Sequence, residues 1–341
     1  MSKGGAMDLA SSIGGKIEKT DVLSAVDKYE KYHVLYGGEV EERKANYTDM
    51  VNKYYDLVTS FYEYGWGQSF HMAPRWKGES IRESIKRHEH FLALHLGLKP
   101  GDKVLDVGCG IGGPLREISL FSSTFVTGLN NNEYQISRGK FLLHPERVLF
   151  ELRDALQTLN KEAGVEKTCD FVKADFMKIP FPDGSFDAVY AIEATCHAPD
   201  MVGCYKEIYR VLKPGQRFAA YEWCMTDSFD PDNQEHQKIK ADIEIGNGLP
   251  DIILTGQCLD ALKQAGFDVI WEKDVAVGAH VPWYAHLDKK ESQSSFRLST
   301  LGRFITENMV GVLEYVGIAP KGSKRVSAFL ENAAEGLLAG G

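Results

Sequence analysis

The segment that decides the fold is Val104-Leu105-Asp106-Val107-Gly108-Cys109-Gly110-Ile111-Gly112-Gly113-Pro114. Its first residues form the apolar end of a strand, and the glycines that follow make a turn in which the backbone can approach a ligand closely. A helix is predicted to begin around Leu115. A glycine-rich turn alone is weak evidence, because any tight connection between a strand and a helix also favours glycine.

Short apolar runs alternate with helical segments along the chain after this turn. Strands are predicted at residues 103–107, 125–129, 170–173, 186–192, 217–222 and 267–272. Such an alternation indicates an α/β fold with a mostly parallel sheet. Residues 79–98 read as a helix before the first strand. The polar stretch 225–255 is too long for a tight turn and is expected to be a lid or an insert over the site.

Composition limits the classes of function. The chain has 341 residues, of which 43% are hydrophobic and 26% charged, as is usual for a globular protein. A formal charge of −9 disfavours nucleic acid as a general partner. The six cysteines form no zinc-binding spacing, so we expect reduced thiols and no metal site. The sequence predicts neither a signal peptide nor a transmembrane helix.

Acidic residues near the glycine turn indicate the kind of ligand. Asp106 lies two positions before Gly108, whereas a dinucleotide fingerprint would place a pyrophosphate over the helix N-terminus. This arrangement favours a nucleoside without phosphates, as in S-adenosylmethionine. Asp175, after the third strand, is placed to accept a hydrogen bond from an adenine amino group, and Phe176 to cover the ring.

The second strand ends in amides where a ribose-binding carboxylate would be expected. Asn130-Asn131-Asn132 stands there, and its amides could bond ribose hydroxyls. An asparagine-rich N-cap before Glu133 explains any single one of them equally well. The residues predicted to bind the cofactor are Asp106, Gly108, Gly110, Gly113, Asn131, Gln135, Asp175 and Phe176.

Four segments carry a family resemblance: YEYGWGQSFH at 62–71, LDVGCGIGGP at 105–114, IEATCHAP at 192–199 and EWCMTDSFDPDN at 222–233. With them the chain resembles the sterol C-24 methyltransferases, most closely the plant type that acts on cycloartenol. The resemblance runs from about Asp8 to Gly341 apart from one segment. It implies a class I S-adenosylmethionine-dependent methyltransferase, with a Rossmann-like doubly wound sheet, a helical N-terminal region and a C-terminal cover for the sterol site.

The resemblance also implies an activity and its partners. The enzyme would transfer a methyl group from S-adenosylmethionine to C-24 of a Δ24 sterol, converting cycloartenol into 24-methylenecycloartanol. It would touch the cytoplasmic face of the endoplasmic reticulum peripherally, and a homo-oligomer is a further expectation. Two alternatives remain open: a methyltransferase for another prenyl lipid, such as a tocopherol, and an isoform that binds the cofactor but has lost turnover.

The reaction creates positive charge on the sterol side chain, so the site needs aromatic faces or carboxylates. Tyr62, Tyr64 and Trp66 alternate, and in an extended segment their rings would share one side, with Glu63 facing the other way. They are expected to form a cage around the cation, with Phe70 and Trp223 as further sterol contacts. The alternative is an aromatic cluster that packs a helix against the sheet.

A proton must also leave the methylated sterol. Glu193 and His197 follow the fourth strand, at the carboxyl edge where open α/β sheets hold ligands. His197 could accept the proton or pass it to Glu63, Glu193 or Glu222, and the base stays open at this point. His197 could instead cap the following helix. The predicted catalytic residues are Tyr62, Glu63, Glu193, His197 and Glu222.

Two features depart from the family pattern. Residues 141–158 have no counterpart there, and Pro145 should break the preceding helix, so this segment is predicted to be an insertion. The family pattern also continues into a final apolar strand beyond Gly341, so the C-terminal segment is expected to be truncated. The predicted divisions are a helical region at 1–98 with the aromatic sterol contacts, a methyltransferase core at 99–275, and a sterol methyltransferase segment at 276–341, of which residues 294–338 cover the site.

Overall fold

A computed structural model describes residues 6–35, 40–143, 167–288 and 299–341. Its centre is a sheet of five parallel strands in the order β3-β2-β1-β4-β5. These are β1 Lys103–Val107, β2 Phe125–Asn130, β3 Cys169–Lys173, β4 Phe186–Ile192 and β5 Leu212–Tyr221. The predicted α/β fold is therefore confirmed.

Helices cover both faces of the sheet and form a further layer beside its carboxyl edge. They are α1 Ala6–Ser12, α2 Val22–Glu30, α3 Val40–Ala45, α4 Tyr47–Gly65, α5 Ile81–Leu96, α6 Gly113–Ser122, α7 Glu133–Leu143, α8 Met201–Val211, α9 Gln234–Asn247, α10 Thr255–Ala265, α11 Thr300–Tyr315 and α12 Ser323–Gly340. Shorter helical turns lie at Lys31–Leu35, Thr195–His197 and Trp283–Leu287.

The central strand β1 explains why the fold-deciding segment is so apolar. Val104 pairs with Val126 of β2 on one side and with Ala188 of β4 on the other. All three side chains are buried. A parallel strand covered on both faces needs a continuous apolar run, and the sequence Val-Leu-Asp-Val departs from this only at Asp106.

The first and last parts of the chain share one hydrophobic core. Tyr29 of α2, Tyr54 of α4 and Phe329 of α12 are buried together, with ring centroids 5.5–6.4 Å apart. Helix α12 also packs closely on α9, since a Cβ added at Gly246 would lie 2.0 Å from that of Ala333. These helices form the wall that faces the sheet edge.

The predicted strand at residues 267–272 is wrong. The segment has no strand conformation, and Ile270 and Trp271 within it are exposed. A strand requires a hydrogen-bonded neighbour, and within the described residues the sheet ends at β5. The other five predicted strands are present, although β5 begins five residues before the predicted position 217.

The conformation predicted for the aromatic motif is also wrong. Tyr62 and Tyr64 lie in the last turns of α4, and Trp66 is its C-terminal cap, so the segment is helical rather than extended. A helix brings residues four apart onto one face, which pairs Tyr62 with Trp66. The polar stretch 225–255 contains helix α9. Of the predicted insertion, residues 141–143 end α7, and the rest lies outside the described residues.

Candidate active site

The glycine turn after β1 has the backbone conformation that the sequence requires. Gly108, Gly110 and Gly112 have φ values of +80°, +54° and +78°, in the left-handed region that favours glycine. A Cβ added at Gly108 would lie 2.3 Å from the Cβ of Ala194, which follows β4. A Cβ at Gly113 would lie 2.2 Å from the carbonyl oxygen of Gln68. These glycines let the loops after β1, β4 and α4 meet.

Asp106 lies beneath this turn and is buried. The hydroxyl of Tyr190 donates a hydrogen bond to its Oδ2 at 3.0 Å. Burial raises the pKa of Asp106 to about 7, although the hydrogen bond from Tyr190 opposes this shift. The hydrogen bond between Asp106 and Tyr190 therefore joins β1 to β4 just before the turn.

The asparagines after β2 anchor two elements to the turn. Asn130 donates from Nδ2 to the Gly110 carbonyl at 3.3 Å and to Oε1 of Gln135 at 2.7 Å. Asn132 accepts from the backbone N–H of Gln135 at 2.8 Å and donates to Asp56 of α4 at 3.2 Å. Asn131 is partly exposed between them. The predicted cofactor residue Gln135 is thus a buried link to α4 through Thr59, 3.0 Å away.

Asp175 and Phe176 lie beyond β3, where Tyr47 at the start of α4 meets them. The Tyr47 hydroxyl donates to Oδ2 of Asp175, and the backbone N–H of Met177 donates to Oδ1 at 2.9 Å. The Tyr47 ring lies stacked relative to Phe176, with centroids 6.4 Å apart and planes 26° apart. Asp175 and Phe176 therefore already contact the aromatic ring of Tyr47, whose hydroxyl donates to Asp175.

A cavity of about 170 Å³ lies between the sheet edge and the helical wall. This volume is below the roughly 300–1,000 Å³ usual for ligand pockets, so the wall must move to admit a large ligand. Among its lining residues are Tyr55, Tyr62, Tyr64, Trp66, Phe70, His71, Met72, Glu193, Cys196, His197, Trp223, Leu249, Leu287, Arg303, Thr306, Ser327 and Leu337. The cavity is mostly apolar and aromatic, with a few polar groups.

Aromatic side chains make up much of the cavity wall. The ring of Tyr62 makes edge contacts with Trp66 and Phe70, with centroids 6.0 and 5.5 Å apart. Trp223 meets Trp283 at 5.0 Å, also edge to face. The Tyr54 hydroxyl donates to the Gly246 carbonyl at 2.7 Å, so the Tyr62 hydroxyl must donate to Tyr54. Burial raises the pKa of Tyr62 to about 12, and its hydroxyl stays protonated.

Glu193 brings a carboxyl group to the cavity directly after β4. Its φ of +50° is unusual for a residue with a side chain, and such backbone strain is concentrated at functional sites. The backbone N–H of Met72 donates to its Oε1 at 3.0 Å. Burial raises the pKa of Glu193 to about 7, against the opposing positive charge of His71. This carboxyl can change protonation state near neutral pH.

Glu222, just after β5, is held by fixed donors instead. Thr195 donates its hydroxyl to Oε2, and the backbone N–H of Trp223 donates to Oε1 at 2.8 Å. Burial raises the pKa of Glu222 despite these bonds. Glu222 is not among the residues that line this cavity, although Glu193 and Trp223 are.

His197 is a neutral, doubly hydrogen-bonded side chain. Its Nδ1 lies 3.0 Å from the carbonyl oxygen of Gly248, which can only accept, so Nδ1 carries the proton. Nε2 then accepts from the Tyr55 hydroxyl at 2.8 Å. Burial lowers the pKa of His197 to about 4. Nε2, the one nitrogen of this tautomer that could accept a proton, is therefore already hydrogen-bonded to Tyr55.

Glu63 lies away from the cavity. Both oxygens of its carboxylate pair with Arg138 of α7, at 2.9 Å from Nε and 2.6 Å from Nη2. Glu63 is not one of the cavity-lining residues. The structure thus gathers Tyr62, Glu193 and His197 around one cavity, with Glu222 behind it and Glu63 outside.

Comparisons with known proteins agree with this arrangement. A "Methyltransferase domain" family model matches residues 105–220, and a "Sterol methyltransferase C-terminal" model matches residues 293–341. Cycloartenol-C-24-methyltransferase from Arabidopsis thaliana is 73% identical over 336 residues, covering 98% of this chain and 95% of the relative. Sterol 24-C-methyltransferase ERG6 from Saccharomyces cerevisiae is 48% identical, covering 88% and 76%.

This chain belongs to the sterol 24-C-methyltransferase family. The family resemblance expected from its motifs is therefore confirmed. The crystal structure of geranyl diphosphate C-methyltransferase from Streptomyces coelicolor A3(2) has a TM-score of 0.56 at 16% identity, covering 77% of this chain and 93% of that one. At this identity the likeness supports the fold alone.

Sequence reasoning missed two polar groups of this sterol 24-C-methyltransferase site. His71 is buried, donates from Nδ1 to the Met72 carbonyl at 2.9 Å, and has Nε2 3.1 Å from Glu89. Burial opposes the charged form of His71, but Glu89 outweighs it and raises the pKa. Tyr55, which holds His197, was also missed. His71 is the last residue of the YEYGWGQSFH motif, but its partner Glu89 lies in α5, in a segment that carries no motif.

The residues at the glycine turn fit an adenosyl group. Tyr47 presents an aromatic ring to Phe176 and a hydrogen-bond donor to Asp175, and an adenine ring with its amino group has the same two features. At Gly110 the turn leaves the backbone open, since Phe70 comes only to 3.7 Å from a Cβ added there, whereas Gly108 and Gly113 are closely packed. The members of this family site thus match the chemistry of a nucleoside cofactor.

Proposed function

We propose that the protein transfers a methyl group from S-adenosylmethionine to C-24 of a Δ24 sterol, with cycloartenol as the preferred substrate and 24-methylenecycloartanol as the product. One observation carries this proposal. A carboxyl group whose pKa is near neutral, that of Glu193, lies in an aromatic cavity next to a glycine turn that fits an adenosyl group. Relatives with cycloartenol-C-24-methyltransferase names support the choice of substrate.

The chain's own residues would hold the cofactor and the sterol against each other. Gly108, Gly110 and Gly113 would shape the turn that receives the cofactor, Asn131 would bind its ribose, and Asp175 with Phe176 would bind its adenine. When bound, S-adenosylmethionine supplies an electrophilic methyl group. Because an alkene is a weak nucleophile, the main contribution of the cavity is to orient the sterol and exclude water.

The aromatic wall would stabilise the positive charge that develops on the sterol side chain. Tyr62, Tyr64, Trp66, Phe70 and Trp223 present ring faces or edges to the same cavity. A cation within about 6 Å of a ring centroid is attracted to the ring face. These side chains also exclude water that would capture the cation.

Glu193 would accept the proton that the methylated sterol releases. It faces the cavity, and its pKa of about 7 leaves a substantial ionised fraction at neutral pH. His197 would instead position Tyr55 and the cavity wall, because its free nitrogen is already hydrogen-bonded. Glu222 would hold Thr195 and the Trp223 backbone in place behind Glu193, and Glu63 would tie α4 to α7.

We also propose that the protein works at the cytoplasmic face of the endoplasmic reticulum through peripheral membrane contact, because its sterol substrate is a membrane lipid. No helix in the described ranges combines the length and the apolar character needed to cross a bilayer.

The test is an assay of purified protein in detergent with methyl-labelled S-adenosylmethionine and, separately, cycloartenol, lanosterol and zymosterol. Mass spectrometry should identify a 24-methylene product, formed most rapidly from cycloartenol. Labelling of a non-sterol prenyl lipid, or binding of the cofactor without transfer to any sterol, would overturn the proposal.

A further inference from the structure

The outer face of α11 carries a stripe of exposed apolar side chains, which we call the α11 stripe. Its members are between 46% and 91% exposed: Leu301, Phe304, Ile305, Val312, Tyr315 and Val316. At about 100° per residue, all six lie within roughly 60° of one line along the helix. Asn308 is a polar residue on that line, and no charged residue lies there. An exposed apolar patch of this extent marks an interaction surface.

The opposite face of the same helix belongs to the cavity wall. Arg303 and Thr306 line the cavity, and Val310 is fully buried in the core between the N- and C-terminal helices. The Arg303 guanidinium donates to the Leu287 carbonyl at 2.8 Å, which fixes α11 beside the cavity. A single helix therefore separates the α11 stripe from the site that receives the sterol.

We propose that the α11 stripe docks the protein on the surface of a lipid bilayer, with α11 lying along the interface above the sterol cavity. The inference rests on the proposed function, because a sterol methyltransferase must take its substrate from a membrane. The face of α11 opposite the α11 stripe forms part of the wall of the proposed sterol cavity, so the occupant of the stripe is expected to be the phase that delivers the sterol. One face of α11 would then contact the bilayer while its opposite face lines the proposed sterol site.

Charge narrows the kind of lipid surface. Glu307 and Glu314 lie about 120° and 140° around α11 from the line of the stripe, Lys324 lies beside Gly311 near its edge, and the whole chain has a formal charge of −9. Anionic headgroups would add little to the binding free energy of such a surface. Most of that free energy must therefore come from burying apolar side chains. Binding to neutral phosphatidylcholine should therefore be strong and nearly independent of salt.

The experiment measures flotation of the full chain with neutral phosphatidylcholine vesicles at low and high salt. The test variant combines Leu301→Gln with Phe304→Gln, which keeps good helix formers on α11. A control variant combines Leu94→Gln with Leu120→Gln, which removes exposed leucines from α5 and α6. The test variant should bind vesicles at least about tenfold more weakly, and the control should bind like the unmodified protein.

A second measurement separates docking from catalysis. With sterol supplied in phosphatidylcholine vesicles, the test variant should lose methylation in proportion to its lost binding, whereas with sterol in detergent micelles it should stay within about twofold of the unmodified protein. Failure of the unmodified protein to methylate any sterol in detergent would reject the proposed function, and vesicle flotation would still test the docking surface independently.

Two results would overturn the docking inference. One is vesicle binding that does not depend on the α11 stripe, either because the test variant still binds or because the test and control variants lose binding equally. The other is a change in oligomeric state: if the unmodified protein sediments as a dimer and the test variant as a monomer, without any vesicle binding by either, the α11 stripe is an interface between two copies of the chain.

Discussion

At the scale of single residues, the carboxyl group of Glu193 gives a prediction in pH. The proposed base must be ionised, so kcat should rise with pH and level off above an apparent pKa near 7. Glu193→Gln should lower kcat by about 100-fold or more and abolish that inflection. The measurement is a pH profile with sterol in detergent. If Glu222→Gln removes the inflection and Glu193→Gln does not, the base is Glu222.

The raised pKa of Glu193 also predicts how the stability of the fold changes with pH. An ion-paired carboxylate stabilises the folded state more as pH rises, whereas Glu193 should do the reverse. The pKa of Glu193 in the folded protein, about 7, lies above its ordinary value of 4.5, so burial penalises ionisation. The folded state therefore loses stability as pH rises from about 4.5 to about 7. Glu193→Gln should raise the Tm at pH 8 more than at pH 5. An equal change in Tm at both pH values would contradict the shift.

His197 is predicted to stay neutral throughout the physiological pH range. Its pKa of about 4 lies below the ordinary 6.5, so its contribution to stability is present above about pH 6.5 and lost as pH falls towards 4. Tyr55→Phe leaves the buried Nε2 without its donor and should cost about 1–3 kcal/mol of unfolding free energy. Denaturant unfolding measures this cost. An imidazole NMR signal of His197 that titrates near pH 6.5 would contradict the assignment.

At the scale of elements, two neighbouring asparagines at the start of α7 are predicted to have different roles, Asn132 in stability and Asn131 in cofactor binding. Asn132 caps the helix through the Gln135 N–H and bridges to α4, whereas Asn131 is partly exposed at the proposed ribose position. Asn132→Ala should cost about 1–2 kcal/mol in denaturant unfolding. Asn131→Ala should instead weaken S-adenosylmethionine binding in calorimetry with little change in stability. The reverse pattern would exchange the two assignments.

Local pattern predicted the elements that carry the cofactor site, because a strand, a glycine turn and a helix follow each other directly in sequence. It failed where partners come from elsewhere in the chain. The run at residues 267–272 has the apolar character of a strand, but its pairing depends on what lies beside β5. Tyr62, Tyr64 and Trp66 alternate as in a strand, yet the surrounding helical pattern of α4 prevails.

The candidate site was predictable as a set of residue types but not as a set of roles. Glu63 and Glu193 both follow from chemistry that needs carboxylates. Only the fold reveals that Arg138, in another helix, neutralises Glu63, whereas the turn after β4 directs Glu193 to the cavity. The tautomer of His197 likewise depends on Gly248, which lies 51 residues further along the chain.

At the scale of the whole molecule, β5 is an edge strand of the sheet as far as the described residues show, and the residues in its middle are exposed. A cavity of about 1930 Å³ lies between β5 and residues 266–277. Across it, Ile270 and Trp271 present apolar surface, 78% and 49% exposed. An edge strand has unpaired backbone groups that can pair with another chain. The edge strand and the exposed apolar side chains together favour aggregation through β5 when residues 266–277 move away from it.

A lysine at position 270, across the cavity from the β5 edge, should suppress that aggregation, since charged side chains are a common protection of edge strands. Ile270→Lys should slow aggregation on mild heating, followed by light scattering, while changing the unfolding free energy by no more than about 0.5 kcal/mol. Leu94→Lys on α5 is the matched control, because Leu94 is 66% exposed and the substitution makes the same change in net charge. If both variants slow aggregation equally, net charge rather than the β5 edge governs it.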